Sequence, residues 1–529
     1  MFRGCPSCVC CAAIVLSCLV VTTGRAEDRW LTRSHDNRRT GLTPVIGPQR
    51  VGNVWEYAAV GGNNLNIEAA VTGRGVFFGS WGLVRKRGHS KVSWDKFDGK
   101  IFGLRTTNGR ELWPPIHPGV TPYAYRFPGR KPTRQDRPAG NGLHLNYSNG
   151  TIEGTPAVDP TGKVAFVGRG DGSLYCVDLI RGKVKWRFKT FDPARPDDPE
   201  GGGEIVGGPA LTPQGLVIFG TFAAPHRPNP PKLVRHETNA VYAVDTKGQL
   251  VWRYPKQGSL DSVFQASPAL SPDGRRVYLS TDLPSKDHSC QLFAFETKSG
   301  DLLWTMDLGL VGGHDIAVGV DRRLYIAGMD QQFLGIRPSV FAVDDRGDRG
   351  TYAWGPMPID GKRPPSHYAG GVAIFEKGNT VRDVYFSTAV HRPTNGAGGR
   401  LHRVDPKTGS IVSSWNPEKA FPPCAGGLTD VTLDGNGTVY VGCRGRKRIL
   451  SKPEIRGRVY ALKASDNGFA VVWSYEVDGQ LDWSSPVIGP QGGCYFGSSD
   501  RIGELLHSIP RTENEIVSDA DPKFYGVRD

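Results

Sequence analysis

Methionine is scarce in this chain, and runs rich in Ala, Leu and Glu are few. Only 4 of the 529 residues are Met, and this composition excludes a helical bundle or a coiled coil. After residue 26 no stretch approaches the roughly 18 apolar residues that a membrane-spanning helix needs. Glycine (69) and proline (40) are abundant instead, which favours many turns and short strands over long helices.

Several signatures of catalysis and metal binding are also absent. The sequence contains no Gly-x-Ser-x-Gly, His-Glu-x-x-His or Gly-x-x-x-x-Gly-Lys-Ser/Thr pattern, which disfavours a serine hydrolase, a zinc protease and a P-loop enzyme. No Cys-x-x-Cys follows residue 26, so a zinc ribbon and covalently attached haem are disfavoured too.

Residues 1–26 have the pattern of a secretory signal. Arg3 supplies the positive start, an apolar stretch follows, and Ala26 ends a small-x-small cleavage site. The alternatives are a buried N-terminal helix and a lipoprotein signal, because the residues before Cys18 loosely resemble a lipobox. We therefore expect a periplasmic or extracellular protein, with cleavage near Ala26 or lipid anchoring at Cys18.

Five cysteines remain after that segment, and they are far apart in sequence: Cys176, Cys290, Cys424, Cys443 and Cys494. An exported protein can form disulfides, and Cys424 and Cys443 are one candidate pair. The alternative is that all five are small buried strand residues.

A four-strand pattern recurs along the chain. One copy begins at Thr155 and ends at Trp186, and another begins at Ser267 and ends at Trp304. Each copy has alternating strands joined by short turns, without room for a helix. Seven copies close on a tryptophan, namely Trp113, Trp186, Trp252, Trp304, Trp354, Trp415 and Trp473.

An eighth unit begins at Ser485 and lacks its fourth strand, and its third strand is expected near residues 502–508. The segment around Trp55 closely echoes the one around Trp473, so the N-terminal strand is expected to complete the last unit. This arrangement closes a ring and removes an exposed sheet edge. The sequence therefore predicts an all-β, eight-bladed β-propeller over residues 51–508, with seven blades as the alternative count. Residues 27–50 are its lead-in and residues 509–529 its tail.

The segments that precede these tryptophans resemble a known family. The pattern Ala-Val-Asp-x-x-x-Gly-x-x-x-Trp, as at Val177-Asp178 to Trp186, is similar to the tryptophan-docking motif of pyrroloquinoline quinone (PQQ) repeat propellers. The lead-in, with Trp30 and residues 36–41, resembles the start of secreted bacterial members. The resemblance implies the propeller fold and structural tryptophans, but the fold carries enzymes, scaffolds and sensors alike.

Nearly every insertion is expected on one face of the propeller, which we call the insertion face. It carries the loops between second and third strands and the links between blades, and the opposite turn face carries only short turns. Basic residues outnumber acidic ones in residues 82–100, 123–137 and 444–458. Because blades 7 and 1 both flank blade 8, these segments are expected to meet. The candidate binding residues are Arg85, Lys86, Arg87, Arg126, Arg130, Lys131, Arg444, Arg446, Lys447 and Arg448.

A formal net charge of +13 fits an anionic partner for this surface, either a protein or a polyanion such as a glycan or an anionic surface. The alternative is that the loops only keep the protein soluble. Nucleic acid is disfavoured by the export signal, although basic residues lie beside Tyr123, Tyr125 and Phe127. We expect a monomer.

The mouth of the central channel is the second candidate site. Polar residues that precede the innermost strands could converge there on a metal or a small ligand. They are Glu153, Gln265, His314, Asp315, His367, Asp430, Asp482 and Trp483, together with Asn66 and Glu68. The alternative is a water-filled channel lined by hydrogen-bonded polar groups.

Enzymes of this family hold PQQ with Ca²⁺ in the channel, and those that oxidise alcohols carry two adjacent cysteines. The only adjacent pair here, Cys10-Cys11, lies in the signal segment. We therefore expect no cofactor and no catalytic residues, and a non-catalytic scaffold that binds through the basic insertion face. The alternative function is a quinoprotein-like oxidoreductase or a carbohydrate-active enzyme with its site at the channel mouth.

Overall fold

The computed structural model describes the part of the chain given in the following ranges: 29–58, 65, 67–80, 83–85, 92–97, 99–118, 121–122, 151–191, 202–222, 239–260, 264, 266–281, 289–309, 311–330, 337–358, 367–390, 399–424, 426–445, 456–481, 484–498 and 523–529. Only the backbone is described at 83–85, 92–97, 121–122, 311–314, 329–330, 337–338, 358, 367–369 and 389–390. The signal segment and Cys18 lie outside these ranges.

The described residues form short strands and one 3-10 helix, Pro417–Lys419. The first strands in chain order are β1 (Val54–Ala58), β2 (Ala70–Val71), β3 (Val76–Gly79), β4 (Leu83–Arg85), β5 (Val92–Phe97), β6 (Ile101–Leu104), β7 (Thr121–Pro122), β8 (Ala157–Val158), β9 (Val164–Arg169), β10 (Ser173–Asp178), β11 (Lys183–Lys189), β12 (Ala210–Leu211), β13 (Leu216–Gly220), β14 (Val241–Asp245), β15 (Leu250–Tyr254), β16 (Ala269–Leu270) and β17 (Arg276–Ser280).

The remaining strands are β18 (Cys290–Glu296), β19 (Leu302–Gly309), β20 (Val311–Val318), β21 (Arg323–Asp330), β22 (Arg337–Asp345), β23 (Gly350–Pro358), β24 (His367–Lys377), β25 (Thr380–Val390), β26 (Leu401–Val404), β27 (Ile411–Trp415), β28 (Thr432–Leu433), β29 (Thr438–Cys443), β30 (Arg458–Ser465), β31 (Gly468–Glu476), β32 (Val487–Ile488), β33 (Cys494–Gly497) and β34 (Lys523–Val527). No helix among the described residues is long and apolar enough to cross a membrane.

The strands form eight antiparallel blades, as predicted. Blades 2 to 7 each use four consecutive strands, beginning at β8, β12, β16, β20, β24 and β28. Blade 1 contains β2, β3 and β6, and two isolated bridges beside Trp113 stand where its fourth strand would be. The chain is therefore an eight-bladed β-propeller.

The last blade is closed by the N-terminal strand, as the echo between Trp55 and Trp473 predicts. Its strand order is β32, β33, β34 and β1, and β1 pairs with β34 from Val54↔Val527 to Ala58↔Lys523. The expected third strand near residues 502–508 is wrong, because the third strand is β34 at the C-terminus. Residues 499–522, which precede it, lie outside the described residues.

The core lies between the blades. Buried apolar residues form eight clusters, and each cluster joins two neighbouring sheets, including blade 8 with blade 1. Alternating apolar residues on both sides of each sheet supply these clusters, as expected for strands buried on both faces. Stability therefore depends on the closed ring rather than on any single blade.

The tryptophans link each blade to the next. Trp252 on β15 donates its indole N–H to Thr297 O of the following blade at 2.9 Å, and Trp55 of blade 8 donates to Thr106 O of blade 1 at 3.0 Å. The motif glycine lies under the neighbouring indole. A Cβ built on Gly300, whose φ is +75°, would lie 2.4 Å from the Trp252 ring. Glycine is therefore needed there for two reasons, the left-handed backbone and the space that the indole fills.

The lead-in follows the innermost strands of successive blades. In seven successive blades, one backbone N–H of the innermost strand donates to this segment at 2.6 to 2.9 Å. The donors are Val71, Val158, Leu211, Leu270, Val318, Ile374 and Leu433, and the acceptors lie between Trp30 and Gly41. In most blades, as at Val158, these residues lead directly into the short turns, so the lead-in runs near the turn face.

Candidate functional site

The insertion face gains an extra sheet from the blade 1 insertion. Strands β4, β5 and β7 form a three-stranded sheet, in which β5 pairs with β7 through Lys96↔Pro122 and Phe97↔Thr121. The basic insertion of blade 1 is therefore joined by backbone hydrogen bonds to the start of the basic link that leads to blade 2. Arg85 lies on β4.

The base of the blade 7 insertion carries a shared ion pair. Arg458 Nη2 lies 2.7 Å from Glu476 Oε2, and Arg456 Nη1 lies 3.9 Å from Glu476 Oε1. Arg444, where the insertion begins, donates its backbone N–H to Gly427 O at 2.9 Å. One carboxylate thus serves two guanidinium groups at this position.

Most of the predicted basic residues fall outside the described residues, so their expected meeting remains a prediction. These are Lys86, Arg87, Arg126, Arg130, Lys131, Arg446, Lys447 and Arg448. The ring order does put blade 8 between blades 7 and 1. On that blade Lys523 Nζ lies 2.9 Å from Glu56 Oε2 and 3.4 Å from Asp478 Oδ2.

Three acidic residues occupy equivalent positions in the channel. Glu68, Asp315 and Asp430 each lie three residues before the strand residue whose N–H binds the lead-in. They belong to blades 1, 5 and 7, and they therefore face the axis from different sides. The sequence analysis named all three, Glu68, Asp315 and Asp430, as residues that precede the innermost strands.

Arg33 of the lead-in contacts two of these acids. Its Nη2 donates to Asp430 Oδ2 at 2.9 Å, and its Nε lies 3.6 Å from Asp315 Oδ1. Burial disfavours the charged guanidinium, but the carboxylates of Asp315 and Asp430 outweigh it and raise the pKa of Arg33 above its ordinary value. Burial also raises the pKa of Asp315 to about 6, against the opposing effect of Arg33.

Glu68 is held by two other groups of the lead-in. Its Oε1 accepts the Trp30 indole N–H at 2.9 Å and the Ser34 backbone N–H at 2.6 Å. Burial raises the pKa of Glu68 to about 7, and Arg33 lowers it in part. The Trp30 ring also contacts the His35 ring edge-on, with centroids 5.1 Å apart.

Arg39 fixes the lead-in to the backbone of two blades. Its fully buried guanidinium donates to Pro268 O at 2.9 Å and to Gly208 O and Pro209 O at 3.2 and 3.1 Å. Burial lowers the pKa of Arg39 to about 10. Arg38 makes a two-pronged ion pair with Glu376, at 3.0 and 2.8 Å.

Glu153 lies apart from this network, in blade 2. Its Oε1 accepts a hydrogen bond from Thr151 Oγ1 at 3.1 Å. Burial, and then the nearby carboxylate of Glu204, raise the pKa of Glu153 to about 7. The side chains of the other predicted channel residues are not described. His314 and His367 are described only as backbone, on β20 and β24. The remaining residues lie outside the described ranges: Asn66, Gln265, Asp482 and Trp483.

Comparison with known proteins agrees with this architecture. A family model described as outer membrane protein assembly factor BamB matches residues 129–305. Quinohemoprotein alcohol dehydrogenase ADHIIG from Pseudomonas putida HK5 superposes with a TM-score of 0.58 at 13% identity, over 95% of this chain and 80% of that one. The quinohemoprotein alcohol dehydrogenase from Comamonas testosteroni gives 0.57 at 12% identity, over 94% and 80%.

BamB from Moraxella catarrhalis gives a TM-score of 0.49 at 14% identity, over 90% of this chain and 98% of that one. No curated protein matches the sequence significantly. The chain therefore matches the PQQ-repeat family over residues 129–305, and its described residues form the propeller fold. At these identities the solved structures show the fold alone.

In the described part of the channel, the lead-in contacts the acidic side chains that a cation such as Ca²⁺ would need. A calcium site needs several oxygen ligands that are open to the ion. Here Arg33 contacts Asp315 and Asp430, and Glu68 accepts two N–H groups of the lead-in. Among the described residues no group of three or more His, Cys, Asp or Glu could hold a metal ion.

The residues that sequence reasoning missed are those of the lead-in. The resemblance drew attention to Trp30 and residues 36–41, but not to what Arg33 and Arg39 contact. One signal was present: arginines cluster at positions 33, 38 and 39, while acidic residues precede the innermost strands at Glu68, Asp315 and Asp430. Buried charges need partners, so the two sets could have been paired.

Proposed function

We propose that this propeller is a non-catalytic scaffold that binds an anionic partner through the loops of its insertion face. The observation that carries the proposal is Arg33, which lies against Asp315 and Asp430 and thereby occupies the acidic centre of the channel. Because a residue of the chain itself contacts these acids, we place the binding site on the long loops, since loops on a rigid scaffold are where binding sites usually lie.

The charge of these loops supports an anionic partner. The basic insertion of blade 1 is paired through β5 with β7, where the basic link begins, and this pairing supports a sector on which the basic residues of both segments would lie. An acidic protein surface and a polyanionic glycan share the required chemistry, a high density of negative charge. The match to the BamB family model over residues 129–305 favours a protein partner. We further propose export through the N-terminal segment, to the periplasm or beyond.

The test removes charge from one face at a time. One variant carries Arg446→Gln, Lys447→Gln and Arg448→Gln on the blade 7 insertion. Its matched control carries Arg181→Gln, Lys247→Gln and Lys407→Gln, which lie exposed in turns of the opposite face. Both variants lose the same charge, and the retention of each on immobilised heparin and on polyglutamate is compared across a salt gradient.

We expect the insertion variant to elute at clearly lower salt than wild type, and the turn-face control to elute with wild type. Stronger binding to polyglutamate would identify acidic protein chemistry, and stronger binding to heparin a glycan. Equal losses in the two variants, or no retention of wild type at low salt, would overturn the proposal.

A further inference from the structure

We infer that Cys424 and Cys443 are joined by a disulfide when the chain folds under oxidising conditions. None of the five described cysteines takes part in a disulfide in the structure. Cys424 and Cys443, however, belong to one buried cluster, and their position gives a cross-link a definite structural role. The inference does not depend on the proposed function.

The backbone brings together the segments that carry the two cysteines. Leu428 forms a bridge with Cys443, and Arg444 donates its N–H to Gly427 O at 2.9 Å, so residues 426–428, which follow Cys424, run antiparallel to residues 443–445 at the end of β29. A Cβ built on Gly426 would lie 2.6 Å from Gly445 O, which shows how closely the two segments approach.

The side chains share one buried environment. Both thiols are fully buried and belong to the cluster between blades 6 and 7. The Cys424 thiol donates to Arg456 O at 3.8 Å, and Arg456 lies two residues before Arg458, which pairs with Cys443. Burial, and then the Cys424 side chain, raise the pKa of Cys443 well above its ordinary value. Two buried thiols on adjoining backbone segments can reach disulfide geometry with a limited movement.

The other three described cysteines lie elsewhere in the ring. Cys290, Cys176 and Cys494 belong to three different clusters, between blades 4 and 5, blades 2 and 3, and blades 7 and 8. The odd number of cysteines after the signal segment thus divides into one pair and three thiols.

The reaction requires an oxidant, and a disulfide donor of the thiol–disulfide exchange class supplies it. The Cys443 thiolate attacks a sulfur of the donor disulfide, and a mixed disulfide forms while one donor sulfur leaves as a thiolate. The Cys424 thiolate then attacks the Cys443 sulfur and releases the second donor thiolate. Two electrons pass to the donor, and the two cysteines lose two protons. Because both thiols are buried once folded, the exchange occurs before blades 6 and 7 close.

The link would hold the base of the blade 7 insertion. Cys443 is the residue immediately before that insertion, and Cys424 lies in the connection between blades 6 and 7. The disulfide would therefore tether the connection between blades 6 and 7 to β29, the strand after which the basic insertion begins. It would also restrict the unfolded chain by closing a loop between Cys424 and Cys443.

Mass spectrometry of the full chain tests the inference without any variant. The protein is exported to an oxidising compartment, or refolded with oxidised glutathione as the donor, and it is then denatured in excess alkylating reagent and digested. We expect one cross-linked peptide pair that contains Cys424 and Cys443 and separates on reduction, with Cys176, Cys290 and Cys494 alkylated. Five alkylated cysteines, or a different pair, would overturn the inference.

Thermal melting with and without reductant gives an independent readout. Wild type should melt several degrees lower after reduction under denaturing conditions and refolding in reductant. The Cys424→Ala/Cys443→Ala variant should melt at one temperature in both states, whereas the control Cys494→Ala should respond as wild type does. An unchanged melting temperature of wild type after reduction would contradict the proposed cross-link.

Discussion

Arg33 and Asp430 are separated by 397 positions in the sequence, yet Arg33 Nη2 donates to Asp430 Oδ2 at 2.9 Å. The contact joins the lead-in to blade 7, and the same guanidinium lies 3.6 Å from Asp315 of blade 5. One side chain of the N-terminal segment therefore links blades 5 and 7. The carboxylates of Asp315 and Asp430, which the sequence suggests as ligand-binding groups, are thus contacted by an arginine of the same chain.

Replacement of Arg33 should destabilise the fold strongly. Arg33→Gln leaves Asp315, whose side chain is 1% exposed, and Asp430 without their cation, and removal of one partner of a buried pair costs about 3 to 5 kcal/mol. Urea unfolding measures the change. The control Arg181→Gln breaks a pair in which Arg181 is 78% exposed and should cost at most about 1 kcal/mol.

A triple variant separates lost charge balance from lost packing. Arg33→Gln with Asp315→Asn and Asp430→Asn removes the uncompensated charge, so it should recover part of the stability that Arg33→Gln loses. A triple substitution that is less stable than Arg33→Gln alone would contradict the electrostatic account.

Glu153 should make stability fall as pH rises. Its pKa is raised to about 7 in the folded protein from an ordinary value of 4.5, so the folded state holds its proton more tightly. The stabilisation is present below about pH 4.5 and is lost as pH rises through about 7. Glu153→Gln cannot ionise, and it should exceed wild type by about 1 to 2 kcal/mol at pH 8 and match it near pH 4.5.

Urea midpoints of wild type and Glu153→Gln across that pH range provide the comparison. The exposed control Asp348→Asn should leave the pH profile of wild type unchanged. A constant difference between Glu153→Gln and wild type at every pH would refute the assignment.

Gly300 should be sensitive to a single methyl group. Gly300→Ala places its Cβ against the Trp252 indole, whereas Gly258→Ala has a similar φ of +70° and nothing within 4 Å of its Cβ. Both variants carry the backbone strain of a left-handed alanine. The Gly300 variant should therefore lose about 1 to 3 kcal/mol more than the Gly258 variant, because the indole must move. Equal losses by chemical denaturation would show that the docking contact contributes nothing.

The C-terminal strand should be essential for closure. Deletion of residues 523–529 removes β34, which lies between β33 and β1, and exposes the edges of both strands. We expect an insoluble product or a melting temperature lower by ten degrees or more. Lys523→Gln removes only the contacts with Glu56 and Asp478 and should melt within a few degrees of wild type. A soluble truncated chain that melts like wild type would rule out a closing role for β34.

The repeat made most of the fold predictable. Each tryptophan reports a local unit, and the segment at Trp55 was recognisable as the missing strand because it echoes Trp473. The strand β34 escaped notice because it is short and follows a long polar stretch, so no local signal connects it to β33. The contacts in the channel were harder to predict. The acidic residues could be recognised in the sequence, but Arg33 comes close to Asp430 only when the ring of blades closes.

The central claim is that the channel holds the chain's own segment and that the insertion face does the binding. Thermal melting of the mature protein with and without PQQ plus Ca²⁺ tests it most directly, because a ligand that binds only the folded state at 100 times its Kd adds about 2.7 kcal/mol. The account predicts an unchanged melting temperature. A rise of several degrees would contradict it and would assign the channel to a quinoprotein function.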